Sequence, residues 1–281
     1  MLESPLQCVV CCLGYPVAGN PHQFIVERAF AAAGLDWRYL TLEVPAERLE
    51  DAVRGLRGLG FRGAHVLTPH KQAVCTMLDE LTELAARTSL VSCIVNRQGQ
   101  LCGENLDGAA FVACLQEFTQ PTGKHVTLFG AGAMASSIAF ALASAGIAKL
   151  TIVNRSPHRA DELAQALNVF YPGLAGTRPW NNPFALDDDT ELIINATPLG
   201  EHDSGRVPVS PASLRPEIIV ADVVLNPWRT EWLRMAQERG CTTLDGLAIL
   251  LQQLALSFQL WTGQTADLRL MRDAAEEYLD I

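Results

Sequence analysis

Short aliphatic runs alternate with longer amphipathic stretches through the first part of this chain. Cys8 to Leu13, Trp37 to Leu42 and Ala64 to Leu67 have the length and composition of buried strands. Pro21 to Ala33 between them reads as a helix ended by Gly34. Ala46 to Leu59 is amphipathic, with Leu49, Val53, Leu56 and Leu59 near one face. Gln72 to Leu78 opens another helix. Val91 to Asn96 and Gln100 to Cys102 flank Arg97-Gln98-Gly99 as a hairpin. A helix from Gly108 to Phe118 leads through Gln120-Pro121-Thr122-Gly123 into a second region. There, apolar runs at Val126 to Phe129 and Leu150 to Val153 bracket a helix of small residues with Gly146 at its end. A helix near Ala160 to Leu167 follows, then strands at Leu192 to Asn195, Ile218 to Val224 and Thr242 to Leu244. Two helices, Leu247 to Trp261 and Ala266 to Leu279, close the chain. The segment from Tyr171 to Asp189, rich in Pro, Asn and Asp, reads as the least constrained loop. This alternation predicts an α/β protein of two lobes.

Composition narrows the class. The 281 residues are enough for two α/β domains with separate cores. They are 49% hydrophobic and 19% charged, an ordinary globular balance. A net charge of −10 argues against nucleic acid or an anionic membrane as partner, so a phosphate site has to be built locally. No uninterrupted apolar run reaches the roughly 18 residues of a membrane span. The start, MLESPLQCVVCCLGYP, lacks the basic region of a secretion signal. A cytoplasmic protein with a small-molecule substrate is expected, and a homodimer is compatible with it. Cys8 and Cys11 form a C-x-x-C, but on a strand they face opposite sides, and no second motif completes a metal site. The eight cysteines therefore read as reduced, mainly buried thiols, and no metal is expected.

Between Phe129 and the small-residue helix lies Gly130-Ala131-Gly132-Ala133-Met134-Ala135, a G-x-G-x-x-A turn. A strand, Gly-rich turn, helix and second strand together form a dinucleotide-binding unit. Gly130 permits the tight turn, Gly132 lets the backbone approach a pyrophosphate, and Ala135 allows close helix–strand packing. The helix N-terminus supplies free N–H groups for the phosphates. The second strand ends in Asn154-Arg155-Ser156, with Arg159 one turn on, and no carboxylate stands where NAD-binding units carry one. Guanidinium groups suit a 2′-phosphate, which favours NADP. The competing reading makes Arg155 and Arg159 solvated residues at a helix start.

Several separated segments resemble the shikimate dehydrogenases and their wider group of shikimate dehydrogenase-like proteins. Gly14-Tyr15-Pro16 is similar to that family's G-x-P. Arg62 to Lys71, RGAHVLTPHK, is similar to G-x-N-V-T-x-P-x-K. Gly103-Glu104-Asn105-Leu106-Asp107-Gly108 is similar to G-x-N-T-D-G, and Asn154-Arg155-Ser156 to an NADP-reading N-R-T. Asn195 to Gly200, NATPLG, and Asp245-Gly246-Leu247 through Gln253 match two further motifs in order. The resemblance implies a substrate-binding lobe of residues 1–106 and 247–281, and a Rossmann NADP-binding lobe of residues 107–246. It implies hydride transfer between NADP(H) and a small cyclic hydroxy or keto carboxylic acid: shikimate, quinate or a relative. Lys71 and Asp107 are its catalytic pair. Asn20, His22, Leu67, Ser92 and Gln253 fall at substrate positions. Ala131, Ala133, Met134, Ala196, Thr197, Val223 and Gly246 join the Gly-rich turn and the arginines around the cofactor.

The chain also departs from the pattern. Asn20 and His22 stand where the family has the two serines of S-x-S that hold a carboxylate, and Gln23 replaces a proline. His65 and Leu67 replace the Asn and Thr of N-V-T. Val91-Ser92-Cys93 replaces V-N-T, Leu106 replaces the Thr of N-T-D, and Leu225 replaces a tyrosine. Losing hydroxyl partners predicts that shikimate is a poor substrate. The preferred ligand is expected to be less hydroxylated, or differently substituted, beside Leu67 and Leu106. It is still expected to carry an anion, which His22 can hold by a charge-assisted bond unless it is a surface residue at a helix start. The alternatives are an NADP-binding sensor without turnover and a tetrahydrofolate-type dehydrogenase, whose G-x-S-x-x-x-G-x-P segment is not seen.

Overall fold

A computed structural model describes residues 6–181, 184–201 and 208–281. The chain divides into two compact units, Met1–Leu106 with Leu251–Ile281, and Asp107–Leu250.

In the first unit, β1 (Cys8–Gly14), β2 (Trp37–Glu43) and β3 (Gly63–Val66) are parallel. The sheet runs β2-β1-β3-β5-β6-β4, with β4 (Glu80–Leu81), β5 (Cys93–Arg97) and β6 (Gln100–Glu104). β5 and β6 form the expected hairpin. Gln98 and Gly99 at its tip both have positive φ, the conformation a two-residue hairpin turn demands. The connecting helices are α1 (His22–Ala32), α2 (Leu49–Gly58, after a 3-10 turn at Ala46–Arg48) and α3 (Glu83–Thr88). Leu49, Val53 and Leu56 bury one face of α2 against Cys11, Leu13, Ala64 and Val66 of the sheet. Ala73–Met77 is a 3-10 turn where a longer helix was expected: only Val74 is buried in it, so no apolar face holds a regular α-helix.

The second unit opens with α4 (Leu106–Gln116) and is built on a fully parallel sheet. Its strands are β7 (His125–Phe129), β8 (Lys149–Asn154), β9 (Ala175–Pro179), β10 (Leu192–Asn195), β11 (Ile219–Asp222) and β12 (Thr242–Leu244). The order β9-β8-β7-β10-β11-β12 is that of a doubly wound dinucleotide fold, reversing direction between β7 and β10. α5 (Ala133–Ser144), α6 (Pro157–Phe170) and α7 (Glu231–Glu238) cross between strands. β9 corrects the expectation of an unstructured 171–189 segment. Its side chains are mostly exposed, so it carries no hydrophobic pattern and is held by parallel pairing with β8. α8 (Gly246–Thr262) and α9 (Leu268–Leu279) end the chain. Among the described residues no helix is long and apolar enough to cross a membrane.

Burial accounts for the cysteines. Cys11, Cys12 and Cys93 lie fully inside the first unit. Desolvation pushes the Cys11 and Cys93 thiols well up and keeps them protonated.

Candidate active site

In the first unit, the C-terminal ends of β1 and β3 lie side by side, with Leu13 paired to Val66. The chain beyond each strand is tied to the other: Leu67 N–H donates to Leu13 O at 2.9 Å, and Tyr15 N–H to Thr68 O at 3.0 Å. A Cβ at Gly14 would sit 2.6 Å from Val17 and 2.9 Å from Leu67, so glycine is what lets these segments meet. Tyr15–Pro16 and Thr68–Pro69 are both cis. This edge carries Lys71, half-buried, whose carbonyl accepts from Val91 N–H at 2.8 Å.

The residues expected to touch substrate divide into two sets. Asn20 lies just before α1, and its Oδ1 accepts from His22 N–H at 2.8 Å. Leu67 is half-buried beyond β3. Ser92 is buried, and its Oγ accepts from Leu106 N–H at 2.8 Å, fixing the chain one residue before Asp107. Gln253 is buried on α8.

His22 and His65 behave differently from expectation. His22 is no surface residue; it is 4% exposed, and its Nδ1 has no hydrogen-bond partner among the described residues. Burial first, and the Lys71 ammonium second, lower its pKa to about 3. The ring is therefore neutral at pH 7 in the ligand-free protein. Its ring meets that of His65 edge-on at 5.0 Å. His65 is wholly buried, and burial likewise holds it neutral. Ser257 Oγ donates to Leu254 O at 2.8 Å, so it accepts from His65 Nε2–H at 2.7 Å. His65 Nδ1 then accepts from the Tyr39 hydroxyl at 2.7 Å. Both ring nitrogens are spent inside the core. Sequence reading missed Tyr39 and Ser257, because 26 and 192 residues separate them from His65. His70 is buried too, with Nε2 2.7 Å from Val44 O, which gives it a packing role.

In the second unit the candidate residues gather at the C-terminal edge of β7, β8, β10 and β11. Gly130 has φ +117°, and a Cβ there would lie 2.5 Å from Ala196 O. Gly132, at the N-cap of α5, has nothing beyond its chain neighbours within 4 Å of where its Cβ would stand. Ala131 and Met134 are half-buried beside it and Ala133 is exposed. At the end of β8, Asn154 Nδ2 donates to Ser156 O at 3.0 Å. Arg155 and Arg159 are exposed, and among the described residues neither has a carboxylate partner.

A buried network absent from the sequence reading shapes the other side. Asn195 Oδ1 accepts from Thr197 N–H at 3.2 Å and from Thr197 Oγ1 at 2.6 Å, while its Nδ2 donates to Leu199 O and to Asp222 Oδ1. Asp222 also accepts from Thr230 Oγ1 at 2.7 Å and Val224 N–H at 3.1 Å. Burial outweighs these bonds and raises its pKa to about 6. Val223 N–H donates to Asn195 O at 3.0 Å, and a Cβ on Gly246 would meet Val224 O at 2.4 Å and Val223 O at 2.7 Å. The N-A-T motif flagged the region; the polar pairing between strand ends was the part that spacing could not show.

The residues present fit a bound dinucleotide phosphate: an open glycine at a helix N-terminus, a clearance limited by backbone at Gly130, and two guanidinium groups at the second strand's end. The fold thus defines a two-unit α/β protein whose second unit is built for a nucleotide. Residues 12–94 match the shikimate dehydrogenase substrate binding domain, residues 113–174 match shikimate / quinate 5-dehydrogenase, and residues 246–276 match the shikimate 5′-dehydrogenase C-terminal domain. The chain is 40% identical over 273 residues to a shikimate dehydrogenase (NADP(+)) of Moorella thermoacetica, covering 94% of this chain and 90% of that protein. Among solved structures, the ligand-free 5-ketofructose reductase of Gluconobacter sp. strain CHM43 superposes with a TM-score of 0.94 at 38% identity, covering 98% and 99% of the two chains. Shikimate 5-dehydrogenase of Thermus thermophilus, in complex with NADP(H) and shikimate, gives 0.86 at 29% identity over 97% and 100%. This chain belongs to the shikimate dehydrogenase family.

Proposed function

We propose that this protein is an NADP-dependent oxidoreductase acting on a CH–OH group, moving hydride between NADP(H) and a small cyclic hydroxy or keto compound of the shikimate and quinate type. The observation that carries this reading is the pairing of Gly132, open at the N-terminus of α5, with the carboxylate-free Arg155 and Arg159 at the end of β8. In the nucleotide, Arg155 and Arg159 hold the 2′-phosphate, and the 130–134 turn holds the pyrophosphate. Ala196, Thr197, Val223 and Gly246 line the nicotinamide side. NADP(H), when bound, supplies or accepts the hydride.

The chain's own part is to hold the substrate and to move a proton at its reacting oxygen. Lys71 donates that proton in reduction and accepts it in oxidation, while Asp107 orients the lysine and the substrate hydroxyl. Asn20, His22, Leu67, Ser92 and Gln253 belong to the substrate's surroundings. Curated relatives named as shikimate dehydrogenases, those of Moorella thermoacetica, Desulforamulus reducens and Symbiobacterium thermophilum among them, count against a sensor without turnover. A second reading, an uncharged cyclic polyol or ketone as substrate, is favoured by the likeness to a reductase named for 5-ketofructose. We place the enzyme in the cytoplasm, where thiols such as Cys11, Cys12 and Cys93 stay reduced. Light scattering tests whether it is a homodimer.

The test of the reaction class is NADP-linked turnover over shikimate, quinate and uncharged cyclic polyols and ketones. Turnover of at least one compound is expected. Calorimetric NADP binding with no turnover of any would mark a sensor and overturn the proposal.

A further inference from the structure

We propose that Asp222 is a positioning residue for the cofactor: its carboxylate holds the 196–200 loop in the shape that receives the nicotinamide end of NADP(H). The inference rests on the reading of the second unit as an NADP site, and it gives that site a fully buried support.

Asn195 and Asp222 are register partners at the C-terminal ends of β10 and β11. The Asn195 amide has one allowed orientation. Thr197 N–H can only donate and the Leu199 carbonyl can only accept, so Oδ1 meets the first and Nδ2 the second. Nδ2 therefore gives its other proton to Asp222 Oδ1 at 3.0 Å. Val224 N–H donates to the same oxygen at 3.1 Å, and Thr230 Oγ1 donates to Oδ2 at 2.7 Å. Thr230 Oγ1 in turn accepts from Leu233 N–H in the first turn of α7. Asp222 is fully buried, and only its ionised form accepts from all three donors with no proton left unpaired.

These bonds converge on one short stretch. Asn195 closes a turn over Thr197 and Leu199, and Leu199 N–H donates to Thr197 Oγ1 at 3.2 Å. Ala196 N–H donates to Phe129 O at 2.7 Å, and the Ala196 carbonyl is the one that Gly130 clears. At the far end, a Cβ on Gly200 would stand 3.5 Å from the Thr230 methyl. The loop thus runs from the Gly-rich turn to the cap of α7. Asp222 is bonded to a support at each end, Asn195 and Thr230. Ala196 and Thr197 are half-buried and open to a ligand; Asn195 and Asp222 beside them are sealed.

Stability does not account for the carboxylate. Burial outweighs its three hydrogen bonds and raises its pKa, so the charged form is a cost to the fold. An apolar pair at 195 and 222 would spare the second unit that cost. It would also give up the hold on Ala196 and Thr197.

The experiment compares two ligands on the same preparation. NADPH is read by calorimetry and by the emission of its bound nicotinamide. Adenosine 2′,5′-bisphosphate carries the 2′-phosphate and lacks the nicotinamide. Asp222→Ala is expected to weaken NADPH binding by about tenfold and to alter the nicotinamide emission, the scale of one or two lost buried hydrogen bonds, while affinity for the bisphosphate stays within about twofold. Asp222→Asn, which keeps an oxygen for Asn195 and Val224, is expected to bind NADPH within about threefold of wild type. If circular dichroism shows Asp222→Ala unfolded, Thr230→Val decides in its place, with the same split between ligands expected and Thr230→Ser restoring wild-type binding. Equal losses for both ligands, or wild-type NADPH binding and emission in the deciding variant, overturn the inference and leave the reaction class standing. A wild-type protein that binds neither ligand overturns the NADP reading as well.

Discussion

The two sheet edges that carry the candidate residues are shaped by different means. In the second unit the backbone does the shaping: Gly130 clears the Ala196 carbonyl, Gly246 clears those of Val223 and Val224, and Gly132 leaves room at a helix N-terminus. In the first unit, side chains do it. His65 is tied to Tyr39 and Ser257, Asn20 accepts from the His22 N–H, and His22 stands neutral under Lys71's influence. A site defined by missing Cβ atoms tolerates few changes, because an added carbon meets backbone that cannot move. A site defined by side chains can be rebuilt one hydrogen bond at a time while the fold persists. By that contrast, the nucleotide edge of this chain is less open to substitution than the edge that carries Lys71.

The contrast can be broken most severely at Gly130. Gly130→Ala places a Cβ 2.5 Å from a carbonyl oxygen at a φ of +117°. A loss of about 3 kcal/mol or more in unfolding free energy is expected, together with NADP binding too weak to measure. Urea denaturation and calorimetry read both; a stable variant that binds NADP would show that the turn relaxes freely.

A smaller effect is expected at Asp222, which belongs to the same backbone-shaped edge. Its folded pKa of about 6 lies above its ordinary value of 3.8, so the folded state holds the proton more tightly than the unfolded chain. Stability must then fall as pH rises through that window, by about 1–3 kcal/mol from this group. Asp222→Asn is expected to flatten that fall between pH 4 and 6. Parallel pH slopes for variant and wild type would contradict the assignment.

Smallest is the change at the arginines. Arg155→Ala is expected to weaken NADP binding by about 1.5–2 kcal/mol, roughly tenfold or somewhat more, with NAD affinity unchanged. Equal losses for both nucleotides would mean that Arg155 supports the loop and does not read the 2′-phosphate.

Legibility in the sequence followed the same division. The strands, the hairpin at Gln98-Gly99 and the Gly-rich turn were visible because period, length and glycine placement are local signals. β9 was not, since an edge strand with exposed side chains has no hydrophobic rhythm. α7 was missed although Thr230 caps it, its Oγ1 accepting from Leu233 N–H at 3.3 Å. Its short apolar face, Trp232, Leu233 and Ala236, gives too brief a period to read. At the candidate site, His22 and His65 could be picked out as departures from a motif, but their charge state could not. That depends on burial, on Lys71 and on partners from β2 and α8, which only the tertiary structure brings together.

The division of labour between the two edges is tested most directly by Lys71→Ala, assayed for turnover and for NADP affinity on the same preparation. Turnover of the best substrate is expected to fall by about 100-fold or more, the scale of a positioned general acid–base group, while the calorimetric Kd for NADP stays within about twofold of wild type. Full turnover in the variant, or a parallel loss of NADP binding, would contradict the account.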